Sequence, residues 1–490
     1  MTILSRTKAF AILLILGIAW SGCYLDPTGV QNPSVTEESL LSNPKGATTT
    51  LLNGLRRQFG FALGATIITT DIVSDNVDHV FVTLSPLLDD PRSVSPLDLT
   101  INATGSTGCY FNLQRLRALA DFGLTQLVPK DPDATAGQIA EIRTYKGMAL
   151  LMLAENFSRF PLTELGQPVP ASVALDSAIA EFNAVRALAP AREQQMRIAL
   201  ARAYRLKGDK AQARANAQAV NLTTASSSIL FAFFTEGILD NDVNIYVFFR
   251  ASEDLQPLPR LDFLDPKYPF RGSPLQALKP EEAPLILAEI AISDNNLPEA
   301  REQMKRAIAL ALSRPPVRNP VTDDTLINDP DRRRRGRPNN PAFRVRATDN
   351  PARGDTTARA GLILRRSGSP VPVYNISRTS IRNADIDALP PTDVRAHLRM
   401  LYLLRQEIFF LEGRRMSDLG IRLPVMQRQI EGNPNMPPDS PGTTAIVPDY
   451  IPPGTELDAF TINAAANLVT IRHDMNFILA DNKVSPFPIP

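Results

Sequence analysis

Only two cysteines occur in 490 residues, Cys23 and Cys109, and only one tryptophan, Trp20. So few cysteines cannot build a disulfide scaffold or a Cys-ligated zinc site. The three histidines, His79, His397 and His473, stand far apart and lack metal-ligand spacing, so no metal is expected. Neither sign of charge dominates: 52 Lys and Arg face 51 Asp and Glu. That balance lacks the clustered basic surface of a nucleic-acid binder, and no nucleic-acid partner is expected. After the N-terminal twenty residues no apolar run approaches a membrane span; the nearest, "SSSILFAFFTEGIL", is soon interrupted by Thr and Glu. The chain also lacks the G-x-S-x-G, H-E-x-x-H, G-x-G-x-x-G and P-loop patterns, so neither an enzyme nor a cofactor is expected. Only a carboxylate pair of the glycosidase kind stays open, because its members need not be neighbours in sequence.

What is present begins with "GIAWSGCYLDPTG". Arg6 and Lys8 make a basic start, Ala9 to Trp20 is almost continuously apolar, and no acidic residue precedes Asp26. Twelve helical residues rise about 18 Å, too little for a hydrocarbon core of about 30 Å. A short apolar segment closed by Ser21 and Gly22 reads as an export signal spanning residues 1–22. The spacing resembles a bacterial lipobox, with Trp20 where leucine is usual, and makes Cys23 a lipidation site for acyl chains such as palmitate. The alternative is a secreted protein in which Cys23 pairs with Cys109. Each buried methylene of an acyl chain adds about 0.8 kcal/mol, so a multiply acylated Cys23 would anchor the chain firmly.

Residues 23–45 are rich in Pro, Asn, Ser and Thr and read as a tether. The remainder, 46–490, reads as one mainly α domain with long ordered loops and little β structure. Leu51, Leu55 and Phe59 step by four residues and predict a first helix. Residues 70–108 read as loops. Two further helical stripes follow, Leu113, Leu116, Leu119 or Ala120, and Leu124 in one, and Ile142, Tyr145, Ala149, Met152 or Leu153, and Phe157 in the other. Helix pairs are predicted near 174–220 and 281–311. In the first, Gly208 can take a positive φ and Asp209 can cap the next helix. In the second, Asp294 and Asn295 make the turn, Pro298 suits the first helical turn, and Ala300, Met304 and Ile308 face inward. Small alanines opposite a bulky stripe suit tetratricopeptide-like pairs, though a separation of about 80 residues excludes a continuous array at a period of 34.

Residues 313–366 hold thirteen Arg against six Asp, including the run Arg332–Arg335. Flanking prolines and aspartates and the lack of interleaved aromatics make this a solvated loop. Farther on, "LRMLYLLRQEIFFLEGRRMSDLG" places Leu401, Leu404, Ile408 and Leu411 on one stripe and predicts a helix over 394–419. Glu412 precedes Arg415 by three residues and Arg414 precedes Asp418 by four, so both pairs are expected to meet on its surface. Carboxylates so placed stay ionised, which suits a structural latch better than proton transfer.

"RQEIFFLEGRRMSDLGIRL" resembles the motif helix of the SusD/RagB family of bacterial outer-membrane lipoproteins, with Glu407, Glu412, Gly413, Arg415, Asp418 and Leu419 on the pattern. "TTDIVSDNV" is similar to the family's early segment, and "YKGMALLMLAENFSRFPLTE" to its next helix and exit. The helix pairs fall where the family has tetratricopeptide-like units, whereas "KVSPFPIP" departs from the family's usual tail. The resemblance implies a SusD-like fold and a lipid-anchored protein of the outer membrane, facing the cell exterior. It further implies that the protein binds a nutrient, a glycan or another oligomer such as a peptide, and delivers it to a TonB-dependent, SusC-like transporter. In that family helical units face the transporter and irregular loops make the ligand site. Candidate ligand residues here are Asp75, Asn76, Tyr110, Asn112, Tyr246 and Tyr268, with tyrosine and phenylalanine replacing tryptophan as stacking surfaces. The competing expectation is a tetratricopeptide-type envelope scaffold without nutrient binding.

Overall fold

The structure, a computed structural model, describes residues 37–79, 86–101, 108–248, 255–319, 338, 340–365, 370–452, 457–483 and 487–488. The export signal, Cys23, the first part of the tether and the Arg332–Arg335 run lie outside the described residues.

The first long helix, α1 (Ala47–Ile72), buries Leu51, Leu55 and Phe59 as their spacing requires. It also runs well past the last periodic residue and ends at Ile72, just inside the 70–108 stretch expected to be loop. There the helix is buried on all sides, so its pattern loses period, and its threonines find partners on the preceding turn. Thr66 Oγ1 donates to the Ala62 carbonyl and Thr70 Oγ1 to that of Thr66, both at 2.7 Å. Its N-terminal amides are capped from far away: Asp131 accepts from the Gly46 and Thr48 N–H groups at 2.9 Å.

Helices α2 (Cys109–Phe122) and α3 (Ala136–Asn156) pack on α1 and on each other. A capping box starts α3, with Thr135 and Gln138 satisfying each other's backbone amides. Cys109 opens α2 at 1% exposure and is free, its sulfur 3.7 Å from the Thr66 hydroxyl. Burial pushes this thiol up to about 12.

The helix pairs form as expected. α4 (Ala171–Leu188) leads into α5 (Glu193–Leu206) and α6 (Lys210–Gln218); Gly208 has φ 75° and Asp209 accepts from the Gln212 N–H. The second pair is α7 (Glu282–Ser293) and α8 (Leu297–Ser313), where Asn295 has φ 56°, Asn296 is the cap, and Ala300, Met304 and Ile308 are buried. Although far apart in the chain, the pairs stack in space, α7 lying against both α5 and α6. α9 (Val394–Ile408) packs on α7 and α8. α10 (Arg415–Asp418) follows, and α11 (Met475–Asn482) lies against α9.

Strands are only three or four residues long among the described residues. Val77–His79 pairs antiparallel with Leu255–Pro257, and a three-stranded sheet joins Phe460–Asn463, Leu468–Ile471 and Arg344–Arg346. The architecture is mainly α with little β, as the periodicity implied.

The predicted helix over 394–419 is corrected: it stops at Ile408 and restarts at Arg415. Leu411 at φ 51° and Gly413 at φ 68° turn the chain between them. A side chain at 413 would be strained and would meet the Thr70 hydroxyl at 3.2 Å.

Candidate functional site

The turn between α9 and α10 lies among buried charges, and every motif residue is held there. Lys267 Nζ donates to the Phe410 carbonyl at 2.8 Å, and Lys279 Nζ donates to the carbonyls of Ile408 and Ile376. Both ammonium groups also pair with Glu412. Glu407 accepts from the Thr379 hydroxyl, the Ser380 hydroxyl and the Ser380 N–H at 2.6–2.8 Å. Asp418 accepts two bonds from Arg405 at 2.8 and 2.9 Å and lies 3.3 Å from Arg205. Arg414 donates to Glu282 at 3.0 Å, and Arg415 forks onto Asp75 and donates to Asn476.

The expected pairs Glu412–Arg415 and Arg414–Asp418 are therefore replaced by long-range ones, because the helix break turns each side chain toward a different element. The latch character itself is what the geometry provides. Burial disfavours the charge of Asp418, yet Arg405 and Arg205 hold its carboxyl well below the usual range. Burial pulls Lys267 down to about 8 even with Glu412 beside it. Asp71, accepting from the Asn76 amide and the Gly413 N–H, is pushed by burial up to about 6.

The expected ligand residues divide by environment. Asp75, Asn76, Asn112 and Tyr268 are at most 2% exposed. Asp75 is occupied by Arg415 and Gln406, Asn76 bonds Asp71 and Gln406, and Asn112 bonds Gln58 and the Gly108 carbonyl. The Tyr268 hydroxyl lies 3.0 Å from the Leu411 carbonyl and 3.1 Å from Gln276 Oε1. These four belong to the framework. Tyr246 lies in the short helix Asp242–Phe248, its side chain outside the described residues. Among the candidates whose side chains are described, Tyr110 alone combines a buried ring with a hydroxyl at a cleft. Its ring packs edge-on against Phe157 at 5.1 Å, and its hydroxyl accepts from Gln114 Nε2 at 3.1 Å and lies 3.3 Å from Gln429 Oε1.

That cleft is an open groove of about 560 Å³ between α2, the loop after Pro161 and the segment around Gln429. Phe111 presents a ring 40% exposed and Leu165 a side chain 52% exposed, while Gln114, Gln429 and Thr163 supply polar edges. The loops are fixed rather than free. Gln114 Nε2 holds the Pro161 carbonyl at 3.0 Å, and Asn433 and Asn435 hold the carbonyls of Gly166 and Leu165. Thr100 accepts from the Gln427 N–H at 2.7 Å. An apolar ring beside convergent amide and hydroxyl groups suits a ligand that is flat, hydroxylated and solvent-borne. Phe111 is the sequence neighbour of Tyr110, among the phenylalanines expected to replace tryptophan as stacking surfaces. The amide partners around Gln429 were missed, because no local pattern ties them to α2.

A larger cleft of about 690 Å³ lies beside α3 and α5, lined by Tyr145, Arg192, Phe231 and Phe233. It is built mainly from a helical wall and two tilted phenylalanine rings 5.6 Å apart. Among the described residues no three His, Cys, Asp or Glu side chains cluster as a metal site, and no helix is long and apolar enough to cross a membrane.

No protein-family model matches the sequence, and no curated protein matches it. Solved structures do match. A candidate sugar-binding protein of Bacteroides vulgatus superposes with a TM-score of 0.50 at 14% identity, over 80% of this chain and 97% of that one. A SusD-like carbohydrate-binding protein of the same species gives 0.47 at 12% identity, covering 76% and 82%. A SusD superfamily protein of Bacteroides fragilis gives 0.47 at 11%, covering 80% and 98%. At such identities the likeness is one of architecture, and the chain has a SusD-like, mainly helical fold.

Proposed function

We propose that this chain is a lipid-anchored binding protein of the outer membrane that captures an oligosaccharide outside the cell and passes it, unaltered, to a TonB-dependent, SusC-like transporter. The observation that carries the reading is the Tyr110–Phe111 groove on a SusD-like frame. It offers one exposed ring and several fixed amide and hydroxyl groups, an arrangement made for holding a sugar face and its hydroxyls. The structural neighbours named for sugar or carbohydrate binding support the ligand class. Cys23 after a short apolar segment supports the anchor. The motif carboxylates Glu412 and Asp418 are matched to buried cations and Glu407 to hydroxyl and amide donors, which supports capture without chemistry.

Calorimetric titration of the lipid-free protein with a panel of neutral and charged oligosaccharides tests this. At least one glycan is expected to bind, and Phe111→Ala is expected to weaken it about tenfold, the worth of one stacked aromatic contact of about 1.4 kcal/mol. Absence of any glycan binding, together with no large β-barrel co-purifying from outer membranes, would leave the helical-scaffold reading in its place.

A further inference from the structure

A second cleft, separate from the Tyr110 groove, lies along α11 and encloses about 410 Å³. Arg353, Arg472, His473, Asp474, Phe477 and Asp481 line it. The two carboxylates of its wall already have partners. Asp474 accepts from Arg399 at 3.0 Å, from the Asp355 N–H and from the Phe477 N–H, and Asp481 pairs with Arg395 at 2.6 Å. Arg353 and Arg472 have no ion-pair partner among the described residues. Two exposed guanidinium groups therefore face one cleft without a salt-bridge partner of their own among the described residues.

His473 reports how close they are. Burial lowers its basicity first, and the positive charges of Arg472 and Arg353 lower it further, against a small opposing pull from Asp75. Its Nε2 is buried and has no hydrogen-bond partner among the described residues. Beside it the half-buried Phe477 offers an apolar ring. Two guanidinium groups and one aromatic ring together match a ligand that joins an anion and an apolar ring face.

We propose that this cleft binds a carboxylated sugar, its acid group between Arg353 and Arg472 and its ring face against Phe477. The proposal rests on the glycan-binding reading above and narrows the cargo to acidic oligosaccharides. It also gives the molecule two ligand positions, one for ring faces at Phe111 and one for charge at Arg472.

The test uses the lipid-free full chain and trigalacturonate as probe, with maltotriose, sodium acetate and triglutamate as comparison arms at equal concentration. Affinity is read by calorimetry and the titration of His473 by NMR of its ring. His397, bonded to the Asp393 carbonyl and to Arg301, serves as internal control. Trigalacturonate is expected to bind and to raise the pKa of His473 but not that of His397, because a carboxylate offsets the two arginines. Arg353→Ala with Arg472→Ala is expected to cost at least about tenfold in affinity, as loss of charge-assisted bonds does, and to abolish the His473 shift. Both arginines are exposed, so folding should survive, and circular dichroism checks it. An unmoved His473 overturns the proposal, as does an equal shift with acetate or triglutamate. If maltotriose binds in a Phe111-dependent way while trigalacturonate does not, the charged cleft fails and the glycan-binding function stands.

Discussion

Asp75 poses a choice between ligand contact and framework that a substitution can resolve. Arg415 and Asp75 have side chains 1% and 2% exposed, and the guanidinium NH2 group donates to Asp75 Oδ2 at 2.8 Å. Gln406 Nε2 reaches the same oxygen at 3.0 Å, and Arg415 also holds Asn476 at 2.9 Å. Replacing Arg415 with Met leaves a buried carboxylate with one neutral donor. Breaking a buried pair on one side costs about 3–5 kcal/mol, a large share of the roughly 5–15 kcal/mol that holds a domain folded. Asp75→Leu strands the arginine and should cost a similar amount. The double variant Arg415→Met/Asp75→Leu removes both charges and should recover most of the loss, since an apolar replacement of a whole buried pair is often neutral. Urea unfolding followed by far-ultraviolet circular dichroism, completed as a double-mutant cycle, measures this coupling. Single variants costing under about 1 kcal/mol, the range of exposed pairs, would refute the latch argument. Glycan affinity lost in Asp75→Asn at unchanged stability would return Asp75 to the ligand site.

Other outcomes follow from the same geometry. Burial lifts Asp71 from 3.8 to about 6, so the folded state keeps a proton that the unfolded chain releases, and stability falls as pH rises through that window. Asp71→Asn removes this cost; it should be about 3 kcal/mol more stable than wild type at pH 8 and nearly equal at pH 4, read as urea midpoints. Asp418 acts with the opposite sign: its depressed value contributes stability above the ordinary carboxylate range that is lost on acidification below it. Gly147→Ala would place a Cβ 2.5 Å from the buried Phe182 ring, and such overpacking should cost about 1–3 kcal/mol in thermal unfolding, relieved by Phe182→Leu in the same chain. Asn296→Ala should cost about 1 kcal/mol by removing the cap of α8.

Much of the helical frame was legible because its helices bury one face. Leu51, Leu55 and Phe59, and likewise Ala300, Met304 and Ile308, are buried as their spacing demands. The C-terminal half of α1 was not legible, because burial on every side erases the period that betrays a helix. Nor was the break after Ile408, where the stripe of α9 continues to Leu411. Its cause is remote: Lys279, Lys267 and Tyr268 take up the carbonyls of Ile408, Phe410 and Leu411 from more than a hundred residues away. Gly413 was the one local hint. The candidate ligand residues went the same way. Aspartate, asparagine and tyrosine in loop-like text suit a ligand surface and a polar interior equally well, and among the described side chains only Tyr110 lines a groove.

The sealed position of Cys109 makes the molecule convenient to instrument. With that sulfur held as an inert thiol beneath α1, a maleimide applied to a preparation never acylated in the cell should spare Cys109 and leave Cys23 as the one other thiol of the sequence. A fluorophore or spin label thus attaches at one end of the chain without any prior mutagenesis, and its separation from a labelled oligosaccharide would serve as a ruler across the native protein.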